Sequence, residues 1–151
     1  MDYIYLFDTT LRDGLQNSDI NINIIDKKKY LDEIEKYNFD YIELSMFDSH
    51  DELNLFELDL KNKIFLCLPT KTHLNKAVEN NINNLQFLIK SDTEQIELVL
   101  NKDKNTYQNE TIEIIKLSIE SNIHTLCIFE HFFDSYKKDK NYLFRFLKQL
   151  K

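Results

Sequence analysis

Short apolar runs alternate with longer amphipathic segments along the whole chain. The runs are rich in β-branched or aromatic side chains, as expected of strands that are buried on both faces of a sheet. Five such runs occupy residues 3–7, 41–44, 64–68, 96–100 and 125–129. We therefore predict five strands.

Apolar residues recur at helical spacing between these runs. In residues 26–37 the spacing predicts an amphipathic helix, and Asp26 stands where it can cap the first turn. Further helices are predicted at residues 51–60, 74–80, 110–120 and 141–150. The run LQFLI at residues 85–89 fits either a strand or a helix. Because the stronger strand run IELVL follows closely, we assign residues 85–89 to the helical segment that begins at residue 74.

The order of these elements indicates an α/β fold with a parallel sheet. Alternating strands and helices form either an open doubly wound sheet or part of a closed (β/α)8 barrel, and the pattern alone leaves both architectures open. Gly14 is the only glycine, so no glycine-rich phosphate loop follows any predicted strand. A dinucleotide-binding domain is therefore disfavoured.

Composition narrows the class of protein. With 151 residues and 42% hydrophobic content, the chain is predicted to form a single domain, residues 1–151, around one core. The net charge of -7 repels phosphate backbones, so we expect neither nucleic acid nor a membrane as a partner. No apolar stretch reaches a membrane-spanning length and the chain begins with an acid after Met1, so we expect a cytoplasmic protein. Cys67 and Cys127 lie inside apolar runs and are predicted to be buried, unreactive thiols.

The loop after the first predicted strand carries the densest polar chemistry. It contains two carboxylates (Asp8 and Asp13), an arginine (Arg12) and an amide (Gln16), at the end of a strand where parallel-barrel enzymes keep their active sites. A carboxylate there can bind a hard divalent cation, and the arginine can stabilise an oxyanion. Equally, the two carboxylates can bond backbone amides in a capped turn, with Arg12 paired to one of them. Both interpretations stay open on the residues alone.

Two motifs carry a resemblance to a known family. The segment DTTLRDGLQ at residues 8–16 resembles the DTTLRDGxQ motif of the metal-dependent condensing enzymes and lyases that include isopropylmalate, homocitrate and citramalate synthases and hydroxymethylglutaryl-CoA lyase. Residues 129–137 resemble the EHFFDGYK segment of the citramalate-synthase-like branch, and weaker likeness covers residues 41–43 and 84–86. The chain is thus similar to the N-terminal part of these proteins, and closest to the citramalate-synthase-like branch.

The resemblance implies a partial TIM (β/α)8 barrel. A complete barrel needs roughly 200 to 250 residues or more, whereas this chain supplies about five βα units of parallel sheet, so the barrel is not closed. The first and fifth strands would then each have an unpaired edge, which invites pairing with another chain. The expected partner is a polypeptide that supplies the remaining strands, or a homo-oligomer.

The resemblance also implies a Claisen-type condensation in isoleucine or leucine biosynthesis. Acetyl-CoA would be joined to a 2-oxo acid, pyruvate or 2-oxoisovalerate, held on a divalent metal (Mg²⁺, Mn²⁺ or Zn²⁺). By position, Asp13 would be the metal ligand and Arg12 the group that stabilises developing charge. Glu130 would transfer protons in a pocket walled by Phe129, Phe132 and Phe133. The remaining implied substrate-binding residues are Gln16, Glu43 and His131.

Plainer roles compete for two of these residues. His131 stands beside aromatic residues, where a histidine is more often simply packed, and Glu43 can be a strand-end carboxylate that bonds backbone. 

Several features depart from the family pattern. The family completes its metal site with a His-x-His pair, but the four histidines here are scattered, so the metal site is incomplete and the isolated chain is expected to be inactive. Leu44-Ser45 and Ser135 stand where the family has glycines. Two alternatives therefore remain: a hydroxymethylglutaryl-CoA-lyase-like carbon-carbon cleavage, which residues 15–17 favour, and a non-catalytic remnant or assembly and binding subunit.

Overall fold

The fold is an open half-barrel of five parallel strands. A computed structural model describes residues 4–16, 20–45 and 61–151. The strands pair in chain order, each parallel to the next. They are β1 (Phe7–Asp8), β2 (Tyr41–Ser45), β3 (Lys63–Cys67), β4 (Asn84–Lys90) and β5 (His124–Glu130). The predicted partial TIM barrel is confirmed.

Helices follow the strands and cover one face of the sheet. They are α1 (Ile24–Ile34), α2 (Lys71–Glu79), α3 (Thr93–Val99), α4 (Lys104–Glu120) and α5 (Phe132–Gln149). The predicted cap at Asp26 was wrong: Asn23 is the N-cap, and its side chain accepts a hydrogen bond from the Asp26 N–H. The predicted helix at residues 51–60 lies outside the described residues. No helix in the described ranges is long and apolar enough to cross a membrane.

In the middle of the chain, one predicted helix is a strand and one predicted strand is a helix. Residues 85–89 lie in β4, which is buried at nearly every position, as a central strand between two neighbours must be. Residues 96–99 lie in α3 instead, where Ile96 is fully buried while Leu98 and Val99 are 76% and 67% exposed. Asp92 begins this helix by accepting a hydrogen bond from the Glu94 N–H. The predicted strand at 96–100 and the predicted helix at 85–89 were therefore both wrong.

The last helix changes direction at Asp139. This residue has non-helical backbone angles (φ -148°, ψ 72°), and its carboxylate accepts a hydrogen bond from the Tyr142 N–H at 3.0 Å. Asp139 thus caps the second half of α5. The predicted helix at 141–150 corresponds to that second half, and the first half begins directly after β5.

The main core lies between the sheet and the helices. Alternate strand residues point to it, among them Phe65, Leu85 and Phe87, and Phe129 of β5 meets Phe146 of α5 edge to face at 5.4 Å between ring centroids. Cys67 is fully buried, which raises the pKa of its thiol, and partial burial raises the pKa of Cys127 to about 11. The predicted burial is confirmed for Cys67, whereas Cys127 is only partly buried, and the unreactive character of both thiols stays a prediction.

The opposite face of the sheet is concave and carries both polar and apolar side chains, since Glu43 lies beside Ile64 and Gln86 lies between Leu66 and Leu126. Tyr41 of β2 reaches His124 of β5, with 2.9 Å between the hydroxyl and Nε2 and nearly parallel rings. This contact passes over β3 and β4, so the sheet must curve around it. The contact lines an open cleft of about 510 Å³ near the N-terminal ends of the strands.

Candidate active site

The loop after β1 is a tight turn held by Asp8. The N–H groups of Arg12, Asp13 and Gly14 all point to the Thr9 carbonyl, at 3.2, 2.8 and 3.3 Å. The Asp8 carboxylate accepts hydrogen bonds from the Thr10 hydroxyl and from the Tyr30 hydroxyl of α1, both at 3.0 Å. The other Asp8 oxygen accepts a hydrogen bond from the Thr10 N–H at 3.3 Å, which is the capping role that the sequence left open. The turn directs Arg12 toward the concave face.

Arg12 and Glu43 form a buried ion pair on that face. Glu43 is fully buried, and its Oε2 accepts hydrogen bonds from Nε and Nη2 of Arg12 at 2.9 and 2.6 Å. Its Oε1 accepts a third from Nε2 of Gln86 at 2.5 Å. The three side chains link the loop after β1 to β2 and to β4. The Glu43 carboxylate bonds the side chains of Arg12 and Gln86, and its expected role in substrate binding stays a prediction.

Asp13 and Gln16 lie at the open side of this cluster. Asp13 Oδ1 accepts a hydrogen bond from Arg12 Nη1 at 2.7 Å, and its side chain is 58% exposed. Gln16 is exposed in the single 3₁₀ turn Gly14–Gln16. Asp13 thus joins the Arg12 cluster, whereas the described hydrogen bonds do not connect Gln16 to it.

Glu130 is held at the carboxyl end of β5 by residues from β4 and the loop after it. Its Oε2 accepts a hydrogen bond from Lys90 Nζ at 2.8 Å. Its carbonyl accepts one from the Ser91 hydroxyl at 2.6 Å, and the buried Ser135 hydroxyl donates to the Ser91 carbonyl at 2.7 Å. The backbone and the side chain of Glu130 are therefore both fixed, and Ser135, where the family has glycine, helps to fix them.

The surroundings of Glu130 differ from the predicted aromatic pocket. Phe129 points to the opposite face of the sheet, where it meets Phe146, and Phe133 is 77% exposed. His131 has a left-handed backbone (φ 57°) and is exposed, with Nε2 4.0 Å from Glu130 Oε1. Phe129 does not wall Glu130, because successive residues of a strand point to opposite faces, and Phe133 lies exposed in α5.

The Arg12 cluster and the Glu130 cluster share one face of the sheet without touching. Gln86 and Lys90 are both on β4 and lie four residues apart, so they point to the same side and are separated by about 13 Å along the strand. Sequence reasoning missed both residues. Their signal was the run NLQFLIK itself, in which a polar residue falls at every even position except Leu88, but the run was assigned to a helix.

A divalent metal does not fit the described residues. Within residues 4–16, 20–45 and 61–151 there is no group of three or more His, Cys, Asp or Glu side chains able to hold a metal ion. Asp13, the expected ligand, faces the Arg12 cation. A catalytic divalent ion needs several oxygen or nitrogen ligands, so the part of the chain that is described does not form such a site.

Comparison with known proteins identifies the family. Residues 3–151 match the HMGL-like family, and the chain belongs to it. It is similar to the (R)-citramalate synthase of Aquifex aeolicus, at 26% identity over 96% of this chain and 30% of that protein. The (R)-citramalate synthase of Geobacter sulfurreducens is also 26% identical, over 98% of this chain and 31% of that protein. The chain thus spans about a third of the length of these relatives.

A solved structure supports the fold. The HMG-CoA lyase of Brucella melitensis superposes with a TM-score of 0.74 and 13% identity, over 97% of this chain and 59% of that one. This likeness shows the fold alone. Enzymes of the HMGL-like family typically depend on a divalent metal, which is the point at which the described residues differ from the family.

Proposed function

We propose that this chain is the N-terminal part of an acyltransferase that condenses acetyl-CoA with a 2-oxo acid, and that catalysis requires the remaining barrel strands. Two citramalate synthases match nearly the whole chain, and the EHFFD segment that the sequence shares with that branch begins at the end of β5. The proposal rests on one observation: the charged clusters at Arg12 and Glu130 lie on the same concave face of the sheet.

Arg12 is suited to stabilise negative charge. Its guanidinium has five N–H groups, and the described contacts use three of them, two on Glu43 and one on Asp13. The other two can meet the oxygen of a 2-oxo acid as charge develops on it. In this proposal Glu43 is a positioning residue that acts through Arg12, while Gln16 and His131 contact the substrate from the rim.

Glu130 is suited to transfer a proton. Lys90 holds one carboxylate oxygen, whereas Oε1 makes no hydrogen bond with any described residue. Glu130 removes a proton from the methyl group of acetyl-CoA, and the resulting carbanion forms a carbon-carbon bond with the ketone carbon of the 2-oxo acid. The ketone oxygen takes up a proton. Water then cleaves the thioester, which releases the free thiol of coenzyme A and the product acid.

Thiol release tests this proposal. The isolated chain is expected to release no thiol from acetyl-CoA with pyruvate or 2-oxoisovalerate, because the substrate site is incomplete. Mixing it with a polypeptide that carries the remaining strands restores release. Arg12→Ala, Asp13→Ala and Glu130→Ala then each abolish it. Arg145→Ala is the matched control, since this other arginine binds Asn105 of α4, on the helical side.

Two results would contradict the proposal. Release by the isolated chain shows that the missing strands are unnecessary. Restored release that persists in all three variants shows that these residues do not carry the chemistry, and leaves the fold likeness without a mechanism.

A non-catalytic assembly subunit is the second candidate. It is favoured by the lack of a three-ligand cluster among the described residues and by the two carboxylates that already neutralise Arg12. Stable binding of the complementing polypeptide, without thiol release from either 2-oxo acid and without cleavage of hydroxymethylglutaryl-CoA, would support it. Cleavage alone would support the lyase alternative.

A further inference from the structure

A small pocket lies between the carboxyl ends of β3 and β4 and the first two turns of α4. Its volume is about 140 Å³, and all of its lining residues fall between Leu68 and Thr111. Both strands are paired on each side within the described sheet. The pocket is therefore a feature of the middle of the sheet and not of its edges.

Two buried hydroxyl groups of α4 line this pocket. Tyr107 and Thr111 are 7% and 1% exposed, and they share one face of the helix because they lie four residues apart. The Tyr107 hydroxyl accepts a hydrogen bond from the Lys90 N–H at 3.0 Å. Burial raises the pKa of Tyr107, and the Lys90 N–H and the nearby Thr111 hydroxyl offset only part of that rise. Tyr107 therefore keeps its proton at neutral pH.

The Thr111 hydroxyl has an unused capacity for hydrogen bonding. Its Oγ1 is buried and makes no hydrogen bond with any residue that the structure describes. Among the described residues, no other buried side-chain nitrogen or oxygen shares this condition. Buried polar groups are nearly always hydrogen-bonded, because an unpartnered one costs stability. A ligand that enters the pocket can supply the partner.

The size of the pocket limits the ligand to about one ring. An engineered apolar cavity of about 150 Å³ in another protein holds a single benzene molecule. The walls here are likewise largely apolar, with side chains from Leu68, Pro69 and Leu100. A six-membered ring would therefore fill this pocket and bury its apolar surface there.

The charges at the pocket favour a neutral ligand. Lys90 is paired with Glu130 at 2.8 Å, and Lys102 is paired with Glu110. A charged ligand would lose its hydration and would have to compete with these pairs for an opposite charge. A hydroxyl group avoids this cost and can both donate a hydrogen bond to Thr111 and accept one from it.

The walls of the pocket are fixed by local hydrogen bonds. Thr70 caps α2, where its hydroxyl accepts a hydrogen bond from the His73 N–H at 3.3 Å. The Lys102 N–H donates to the Ile96 carbonyl at 3.3 Å, which fastens the loop after α3, and the ion pair with Glu110 ties that loop to α4. A pocket whose walls are already in place loses less conformational entropy when a ligand binds.

We propose that this pocket binds a neutral one-ring compound that carries a single hydroxyl group. The ring lies against the apolar walls, and the hydroxyl bonds Oγ1 of Thr111. Lys90 lines the pocket while its ammonium holds Glu130, so the ligand adjoins the candidate active site from the side of α4. The inference does not rest on the proposed function, because the pocket and its ligand are independent of any condensation.

Phenol is the probe, and benzene is the matched compound that lacks the hydroxyl. Each is titrated into the ¹⁵N-labelled full chain, and amide shifts are followed by NMR. We expect phenol to shift the amide signals of Lys90, Tyr107 and Thr111 in a saturable way. We also expect it to bind about tenfold more tightly than benzene, as one added hydrogen bond typically allows. Phenol that produces no saturable shift at these amides, or that binds no more tightly than benzene, overturns the proposal.

Thr111→Val tests the hydroxyl contact. The change keeps the shape of the side chain, so phenol should bind the variant only as tightly as benzene does. The variant should also be at least as stable in urea as the native chain, because it removes an unpartnered buried hydroxyl. Thr125→Val is the matched control, since the Thr125 hydroxyl bonds Ser118 and lies outside the pocket. Tight phenol binding that persists in Thr111→Val contradicts the proposal.

Leu100→Phe tests the location. The larger side chain should fill the pocket and abolish the binding of both probes. Leu98→Phe is its control, because Leu98 is 76% exposed on α3 and should leave binding unchanged. Phenol that still binds Leu100→Phe with native affinity lies elsewhere on the chain, and that result overturns the assignment of this pocket.

Discussion

Replacing Glu43 with alanine tests the buried ion pair that orders the candidate site. The change removes three hydrogen bonds at once, two from Arg12 and one from Gln86. Breaking a buried pair by deleting one partner typically costs about 3–5 kcal/mol. The Arg12 side chain keeps 17% exposure and can recover some hydration, so we expect the lower end, about 3 kcal/mol. That loss lowers the melting temperature by roughly 6–12 °C for a chain of this size.

Urea unfolding followed by far-UV circular dichroism measures this cost. Glu33→Ala is the matched control, because Glu33 and its partner Lys36 are 61% and 65% exposed and such surface pairs contribute about 0–1 kcal/mol. The double variant with Arg12→Ala should cost less than the sum of the two single variants, since both remove the same pair. A loss in Glu43→Ala no larger than in Glu33→Ala would refute the buried network and with it the positioning role of Glu43.

Three further predictions follow from individual side chains. The pKa of Asp92 is lowered, mainly by its hydrogen bond with Lys138. The stabilisation that this carboxylate provides is therefore complete above the unfolded value of 3.8 and is lost as the pH falls below it. In Asp92→Asn, the free energy of unfolding measured in urea should depend less on pH between about pH 5 and 3. Because the pKa values of Cys67 and Cys127 are raised by burial, iodoacetamide at pH 7.5 should modify the native chain far more slowly than the urea-unfolded chain, as mass spectrometry can show. Calorimetry should find only weak binding of Mg²⁺ or Mn²⁺ to the isolated chain; tight, stoichiometric binding abolished by Asp13→Ala would contradict the incomplete site.

Periodicity predicted an element well where its apolar and polar residues matched its buried and exposed faces. The first helix and β2 were located to within three residues of their predicted bounds, whereas β1 shares only Phe7 with the predicted strand at residues 3–7. Around β4 it failed, because the run at residues 85–89 fits a strand or a helix and was assigned to a helix only by its closeness to the run IELVL. Leu98 and Val99 had the opposite effect, since exposed apolar residues on a short helix imitate a strand. Only tertiary pairing decides such cases.

The candidate site was predictable as a set of residues but not as an arrangement. Two motifs identified Arg12, Asp13 and Glu130 as candidates, because residues 8–16 and 129–137 resemble conserved segments of the family. The contact of Glu43 with both Arg12 and Gln86 depends on the curvature of the sheet, which brings β2 and β4 side chains together across β3. Lys90 had only the alternation of the run NLQFLIK as a signal, because lysine is abundant in this chain and its presence alone marks no site.

The contact between Tyr41 and His124 has a mechanical consequence. An open parallel sheet is free to flatten, and a flattened sheet would have to bend before any further strands could close it into a barrel. Since a hydrogen bond and a ring contact already span β2 to β5, the five described strands are bent without any further strand. A rigid, pre-shaped arc loses less conformational entropy when it associates than a flexible one. Tyr41→Ala should therefore slow or weaken assembly, although it lies at the far end of the strands from Arg12 and Glu130.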